Sequence, residues 1–182
     1  MSNTETRVVT GEVRLSYVNV FEPKSINGSK PKYSVSLIIP KSDTATIAKI
    51  EKAIDAAIDQ GVAKFGGKKP NKAALKLPLR DGDIDKDDPA YADAFFVNAN
   101  STTPPQVVDQ ALNPILDVNE VYSGCYGRVS ISFYAFNTNG NRGIACALGN
   151  IQKIRDGEPL GGGRVSAESD FAAFTAGEDF LN

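Results

Sequence analysis

The stretch from Cys125 to Phe136 carries the most pointed chemistry in the sequence, because its alternate residues differ sharply in type. At period two, Val129, Ile131, Phe133 and Ala135 fall on one face, and Tyr126, Arg128, Ser130, Ser132, Tyr134 and Phe136 on the other. The first set is a core face. The second offers rings for stacking bases, a cation for phosphate and hydroxyls for sugar and base edges, which is what an unpaired nucleic-acid strand needs. Residues 95–101, read as the neighbouring strand, repeat the pattern and continue that face, with Phe95, Val97 and Ala99 on one side and Phe96, Asn98 and Asn100 on the other. A stacked base contributes about 1–3 kcal/mol on alanine substitution, so two or three rings can outweigh a modest net charge. Any one of these aromatics taken alone is better explained by packing beneath a helix or loop; the grouping carries the expectation.

Cations are expected to flank that face. Lys24, Lys30 and Lys32 fall in a basic connection over residues 21–32, and Arg142, Lys153 and Arg155 lie along the last predicted strand. The densest basic run, Lys64, Lys68, Lys69, Lys72 and Lys76, either touches a phosphate backbone or only solubilises its loop. Net charge is −2 over 182 residues. After residue 160, Arg164 stands against Glu168, Asp170, Glu178 and Asp179, which makes the tail −3 and leaves the rest at +1. The local potential of a groove, not the total, decides whether a polyanion is attracted.

Several classes of chemistry are excluded by composition. There is no histidine, which removes Ser-His-Asp and Cys-His nucleophiles and the usual histidine metal sites. Two cysteines, Cys125 and Cys146, cannot make a four-cysteine zinc site; they read as two buried reduced thiols, although neighbouring strands could bring them together. Asp81, Asp83, Asp85, Asp87 and Asp88 suggest a divalent cation, yet an EF-hand would need glycine where Lys86 stands and glutamate where Ala92 stands. A solvated loop is the expectation there, with no metal and no cofactor. The glycines of GEPLGGGR precede no GKS or GKT, so they cradle no phosphate.

The elements that position these residues read as mainly β with one substantial helix. Residues 7–20 alternate as a strand, with Val9, Val13, Leu15 and Tyr17 facing one way. Residues 33–40 form a second strand, and the basic connection joins the two. Ser42 or Asp43 caps a helix whose Ile47, Ile50, Ile54 and Ile58 recur at three and four, stopped by Gly61. Residues 62–94 form a long insertion, basic then acidic. A strand over 95–101 is extended by 105–109, and residues 121–155 make a long hairpin turning near NTNGN. Five strands and one helix fit an OB-like five-stranded Greek-key barrel with helical and loop insertions, though with the helix after the second strand and not the third. Residues 1–160 are read as that domain, and 161–182 as a glycine-rich linker and acidic tail. Its end, with Glu178, Asp179 and Phe180, could dock on a partner protein, compete for the protein's own groove, or be an ordinary tail. The amino terminus has neither a basic nor an apolar leader segment, and no apolar run approaches the length of a membrane helix. A cytoplasmic location is expected.

The segments VRLSYVNVFEPK (13–24), KYSVSLIIPK (32–41), PLRDGD (78–83), DDPAYAD (87–93), VYSGCYGRVSISFYAFN (121–137) and GIACALGNIQKIRDGEPLGG (143–162) resemble a bacteriophage family, formerly a domain of unknown function. That family is one of single-stranded DNA-binding proteins with an OB-fold, and the resemblance spans roughly residues 7–175. It implies sequence-independent binding in phage replication or recombination. The carboxyl end looks like tails by which other single-strand binders recruit replication proteins, though GEDFLN departs from the common bacterial ending. Two rivals stand beside a non-enzymatic binder: a metal-dependent nuclease or phosphoesterase using the Asp81–Asp88 run, and a phage structural protein that oligomerises through a barrel edge. Monomer or homodimer stays open.

Overall fold

A computed structural model describes residues 4–25, 28 and 30–160. Its strands are β1 (Arg7–Val9), β2 (Val13–Lys24), β3 (Lys32–Pro40), β4 (Arg80–Asp81), β5 (Ala94–Ser101), β6 (Val107–Val108), β7 (Tyr126–Thr138) and β8 (Asn141–Arg155), with helices α1 (Thr44–Gln60) and α2 (Gly82–Asp85). The expected five long strands close a ring: β2 pairs β3, β3 pairs β5, β5 meets β8, β8 pairs β7, and β7 returns to β2. In chain order of the five this is 1-2-3-5-4-1, with the third and fifth parallel.

The barrel interior takes most of the alternate residues that the patterning assigned to it, but not Val9, which is 38% exposed, nor Tyr17. Val13, Leu15, Val35, Leu37, Val97, Val129, Ile131 and Ile151 are essentially solvent-free. Helix α1 lies between β3 and β5 in sequence and follows the second barrel strand, as expected. Asp43 caps it by accepting from the Thr46 amide, and the Gly61 amide closes its end on Ala57 and Ile58 carbonyls. Its isoleucines are buried in the same core as the barrel. Among the described residues no helix is long and apolar enough to cross a membrane.

Four segments differ from the patterning. The stretch 7–20 is two strands, since Thr10–Glu12 break the pairing, and β2 runs on to Lys24, so the connection shortens to 25–31. Residues 107–108 are a separate short strand that follows β5 along the same edge of β8, in the same parallel sense, pairing at Ile151 and Gln152. The seam between β5 and β8 is bridged only at Asn100 and Ala147. Residues 76–81 fill the remainder, Lys76 bridging Gly143 of β8 and Arg80–Asp81 pairing with β5.

The acidic run is built, not loose. Asp81 and Asp88 cap α2 and the 3₁₀ turn Pro89–Tyr91. Lys41 Nζ lies 3.0 Å from Asp81 and 2.7 Å from Asp83, and Asp85 holds Arg80. Asp81 and Asp83 share Lys41 and Asp85 takes Arg80, and among the described residues the run forms no group able to hold an ion in common. The hydrogen bond from Lys41, joined by one from the Asp93 amide, holds the Asp83 carboxyl below its usual range. Cys125 and Cys146 are buried free thiols, and burial pushes both upward.

Candidate nucleic-acid interface

The largest departure from alternation positions the candidate site. In β2, Ser16 pairs with Ser36 and Asn19 with Ser34, so Tyr17 and Val18 together oppose Val35 alone. This is a β-bulge, and its first residue, Tyr17, has φ +49°. A bulky residue in that region is held there only by its surroundings. The extra residue shifts the phase of the strand by one. Tyr17 is therefore not a core residue, as alternation had placed it, but stands 60% exposed on the outer face.

Beside it the outer surfaces of β2, β3 and β5 form a floor of small polar side chains in register: Ser36 and Asn98 in one row, then Asn19, Ser34 and Asn100 in the next. This floor lies in an open cleft of about 460 Å³. Tyr17 and Lys86 stand at one end and Lys24, Lys30 and Lys32 at the other, and among the described residues no carboxylate lines it. Lys86 Nζ lies 5.2 Å from the ring centre of Tyr17, 5.0 Å from Tyr91 and 5.3 Å from Phe96. Such cation–π contacts hold the ammonium at the wall of the cleft without neutralising it.

The structure thus brings together five of the sequence-predicted residues, Asn98, Asn100, Lys24, Lys30 and Lys32, and adds Tyr17, Asn19, Ser34 and Lys86. It corrects Phe96, which is completely buried. Tyr91 of the acidic insertion packs edge-on against it at 5.2 Å and donates its hydroxyl to Ser36 Oγ, so no base can reach the Phe96 ring. It also corrects the single aromatic face. Strand β7 does not neighbour β5, since β8 intervenes on one route and β2 with β3 on the other.

Tyr126, Arg128, Tyr134 and Phe136 consequently project from a different part of the ring. Arg155 lies 3.8 Å and Arg14 5.5 Å from the Tyr126 ring centre, so that ring is already engaged, and Arg155 is itself paired with Glu12 at 3.0 Å. Arg128 Nε donates to the Thr10 carbonyl, Arg142 reaches the Phe65 carbonyl, and Lys153 is paired with Asp156 while lying mostly buried. Phe136 is half-buried, and Tyr134, at 45% exposure, is the open ring of the group. Of the basic insertion, Lys69 and Lys72 are spent on Asp59 and Asp55 of α1, and Lys64 on the Ala135 carbonyl. Glu178, Asp179 and Phe180 lie outside the described residues.

A signal for Tyr17 was present in the sequence. The apolar positions of β2 are odd-numbered at Val13 and Leu15 and even-numbered at Val18 and Val20, the mark of one inserted residue. Nothing comparable signalled Lys86, whose place depends on how residues 82–93 fold over the sheet.

A closed five-stranded barrel in this order, with a polar, cationic cleft across its first three strands, has the architecture of an OB-fold. The chain belongs to the family described as Enterobacter phage Enc34 ssDNA-binding protein, whose model matches residues 6–181. A putative protein p50 of Acyrthosiphon pisum secondary endosymbiont phage 1 is 30% identical over 95% of this chain and 96% of its own length. The single-stranded DNA-binding protein of bacteriophage Enc34, solved in complex with ssDNA, superposes with a TM-score of 0.75 at 26% identity, over 86% of this chain and 90% of that one. The single-stranded DNA-binding protein gp2.5 of bacteriophage T7 shares the fold, with a TM-score of 0.61 at 16% identity over 92% of this chain and 93% of that one.

Proposed function

We propose that the protein binds single-stranded DNA without sequence preference and performs no bond chemistry. The observation that carries this is the cleft over β2, β3 and β5, which presents four lysines and, among the described residues, no carboxylate around a floor of hydroxyls and amides. A polyanion enters such a cleft by releasing counterions, and small polar side chains meet sugars and base edges without choosing among bases. Tyr17 supplies the open ring. The Enc34 relative, crystallised with ssDNA, supports the reading. The site departs from a surface paved with aromatics: one ring and a ring of cations carry it, so phosphate contacts contribute more than stacking. Family membership supports action in phage DNA replication or recombination in the host cytoplasm. Residues 1–160 would be the binding unit, with 161–182 a tail for recruiting protein partners. Affinity for matched single- and double-stranded oligonucleotides across a salt series tests the reading. The expected result is tighter binding of the single strand, weakening as salt rises; equal affinity for both would refute it.

A further inference from the structure

On another part of the barrel, α1 and β1 enclose a second open cleft of about 650 Å³. Its charges are unequally committed. Asp55 and Asp59 also line it, and each is engaged by a lysine from the insertion, Lys72 and Lys69. The side chains of Arg7, Lys49 and Lys52 are exposed and make no hydrogen bond or ion pair among the described residues, and Arg128 is anchored by one nitrogen to Thr10 with the rest of its guanidinium open. Glu5 is the one uncommitted carboxylate in the lining. Lys49 and Lys52, three apart on α1, stand on one helix face, opposite Arg7 on β1. The cations therefore line an elongated cleft and do not converge on a point.

A row of outward-facing residues leads from beside the first cleft toward this one, past Arg155 and its partner Glu12. Arg14 is two residues from Ser16 on β2, Arg14 is opposite Tyr126 on β7, and Arg128 is the next residue of β7 on that face. Arg128 and Arg7 then line both the α1–β1 cleft and a shallower one past Ser130 and Asn150.

We propose that the α1–β1 cleft is a second nucleic-acid contact surface, taking the phosphates of a strand that already occupies the β2–β3–β5 cleft. This rests on the single-strand reading above and extends it: DNA would follow the barrel wall, and one protein would cover more nucleotides than the first cleft holds. An extended polyanion fits spaced, unpaired cations, and the cleft lacks the large apolar anchor by which an acidic peptide would be fixed.

The test compares the full chain with the triple variant Arg7→Glu, Lys49→Glu, Lys52→Glu. None of the three has a structural partner to lose, and circular dichroism checks the fold. Fluorescence anisotropy is read with oligo-dT of about 8 and about 30 nucleotides, bracketing the roughly 4–16 nucleotides that one OB-fold holds. The expected result is unchanged affinity for the short strand, with loss on the long one. The salt slope for the long strand should fall by about 2, at roughly 0.7 per phosphate contact, and fewer nucleotides should be covered at saturation. Equal results for variant and wild type, or equal weakening for both lengths, would overturn the proposal. So would a labelled peptide of residues 161–182 that binds wild type but not the variant while the long strand is unaffected, since the cleft would then serve acidic protein. If wild type binds neither strand, the first cleft's reading fails as well, which separates the two.

Discussion

Tyr17 is the residue on which the stacking part of the mechanism turns, and its surroundings allow a clean perturbation. It is 60% exposed, makes no core contact, and touches Lys86 through the ring face. Tyr17→Ala removes the ring and leaves the floor and all four lysines. One base–aromatic stack is worth about 1–3 kcal/mol, which corresponds to a loss of about 5- to 150-fold in affinity. Tyr17→Phe keeps the ring and is expected to bind like wild type. Tyr17→Gly removes the ring and also relieves a left-handed backbone that costs a side-chain-bearing residue about 1–2 kcal/mol. In a chain of this length that gain should raise the melting temperature by about 2–4 °C per kcal/mol. Anisotropy titration of labelled oligo-dT, with calorimetric melting on the same samples, reads both effects. Binding should fall for alanine and glycine alike while stability rises for glycine. Alanine binding as tightly as wild type would refute the role of the bulge, whatever the lysines do.

Three further outcomes follow from the same structure. Replacing Lys24, Lys30 and Lys32 together by glutamine should lower the slope of log affinity against log salt by about 2, at roughly 0.7 per phosphate contact, measured by titration at several salt concentrations. Phe96→Ala should cost about 3–5 kcal/mol of stability by denaturant unfolding, because a fully buried ring beneath Tyr91 is lost; were Phe96 a stacking residue, binding would fall and stability would not. Asp83→Asn should flatten part of the acid limb of the stability curve. The native Asp83 carboxyl is held low by Lys41, so its contribution is present above the unfolded carboxylate range and is lost as pH falls through the folded value. Lys41 is raised by the same contact, so its part persists until pH rises through a value above the ordinary lysine range. Thermal melts at pH 2–5 against pH 7 decide it.

How much of this could be read from the chain depends on the range of the forces involved. Helix α1 was legible in full, because its cap, its isoleucine stripe and Gly61 are local. So was the β7–β8 hairpin: Asn139 and Gly140 both take positive φ between the paired Thr138 and Asn141, as the NG dipeptide predicts. Five of the residues now lining the cleft were legible as types, but not their grouping. Alternation tells which residues face outward; it cannot tell that β8 separates β5 from β7, so two outward faces were merged into one. Phe96 was misassigned for a related reason. Its cover, Tyr91, comes from an insertion whose aspartates read as solvated charge, although two of them cap turns and two are tied down by Lys41. Tyr17 failed on one inserted residue, which reverses every facing that follows.

The way the ring is fastened bears on how the chain reaches this state. Val13 pairs with Gly127, and Asn100 meets Ala147, so the last closures join residues far apart in sequence. Such contacts reward the chain only after large loops have been ordered, and proteins built on them fold in milliseconds to seconds, not microseconds. During synthesis, β2, β3 and β5 emerge first and must wait for the carboxyl-terminal hairpin, with the edge of β2, and that of β5 beyond its short pairing with β4, unpaired until it arrives. A ribosome-bound chain truncated before residue 126 would hold most of the cleft's residues yet have no barrel to carry them.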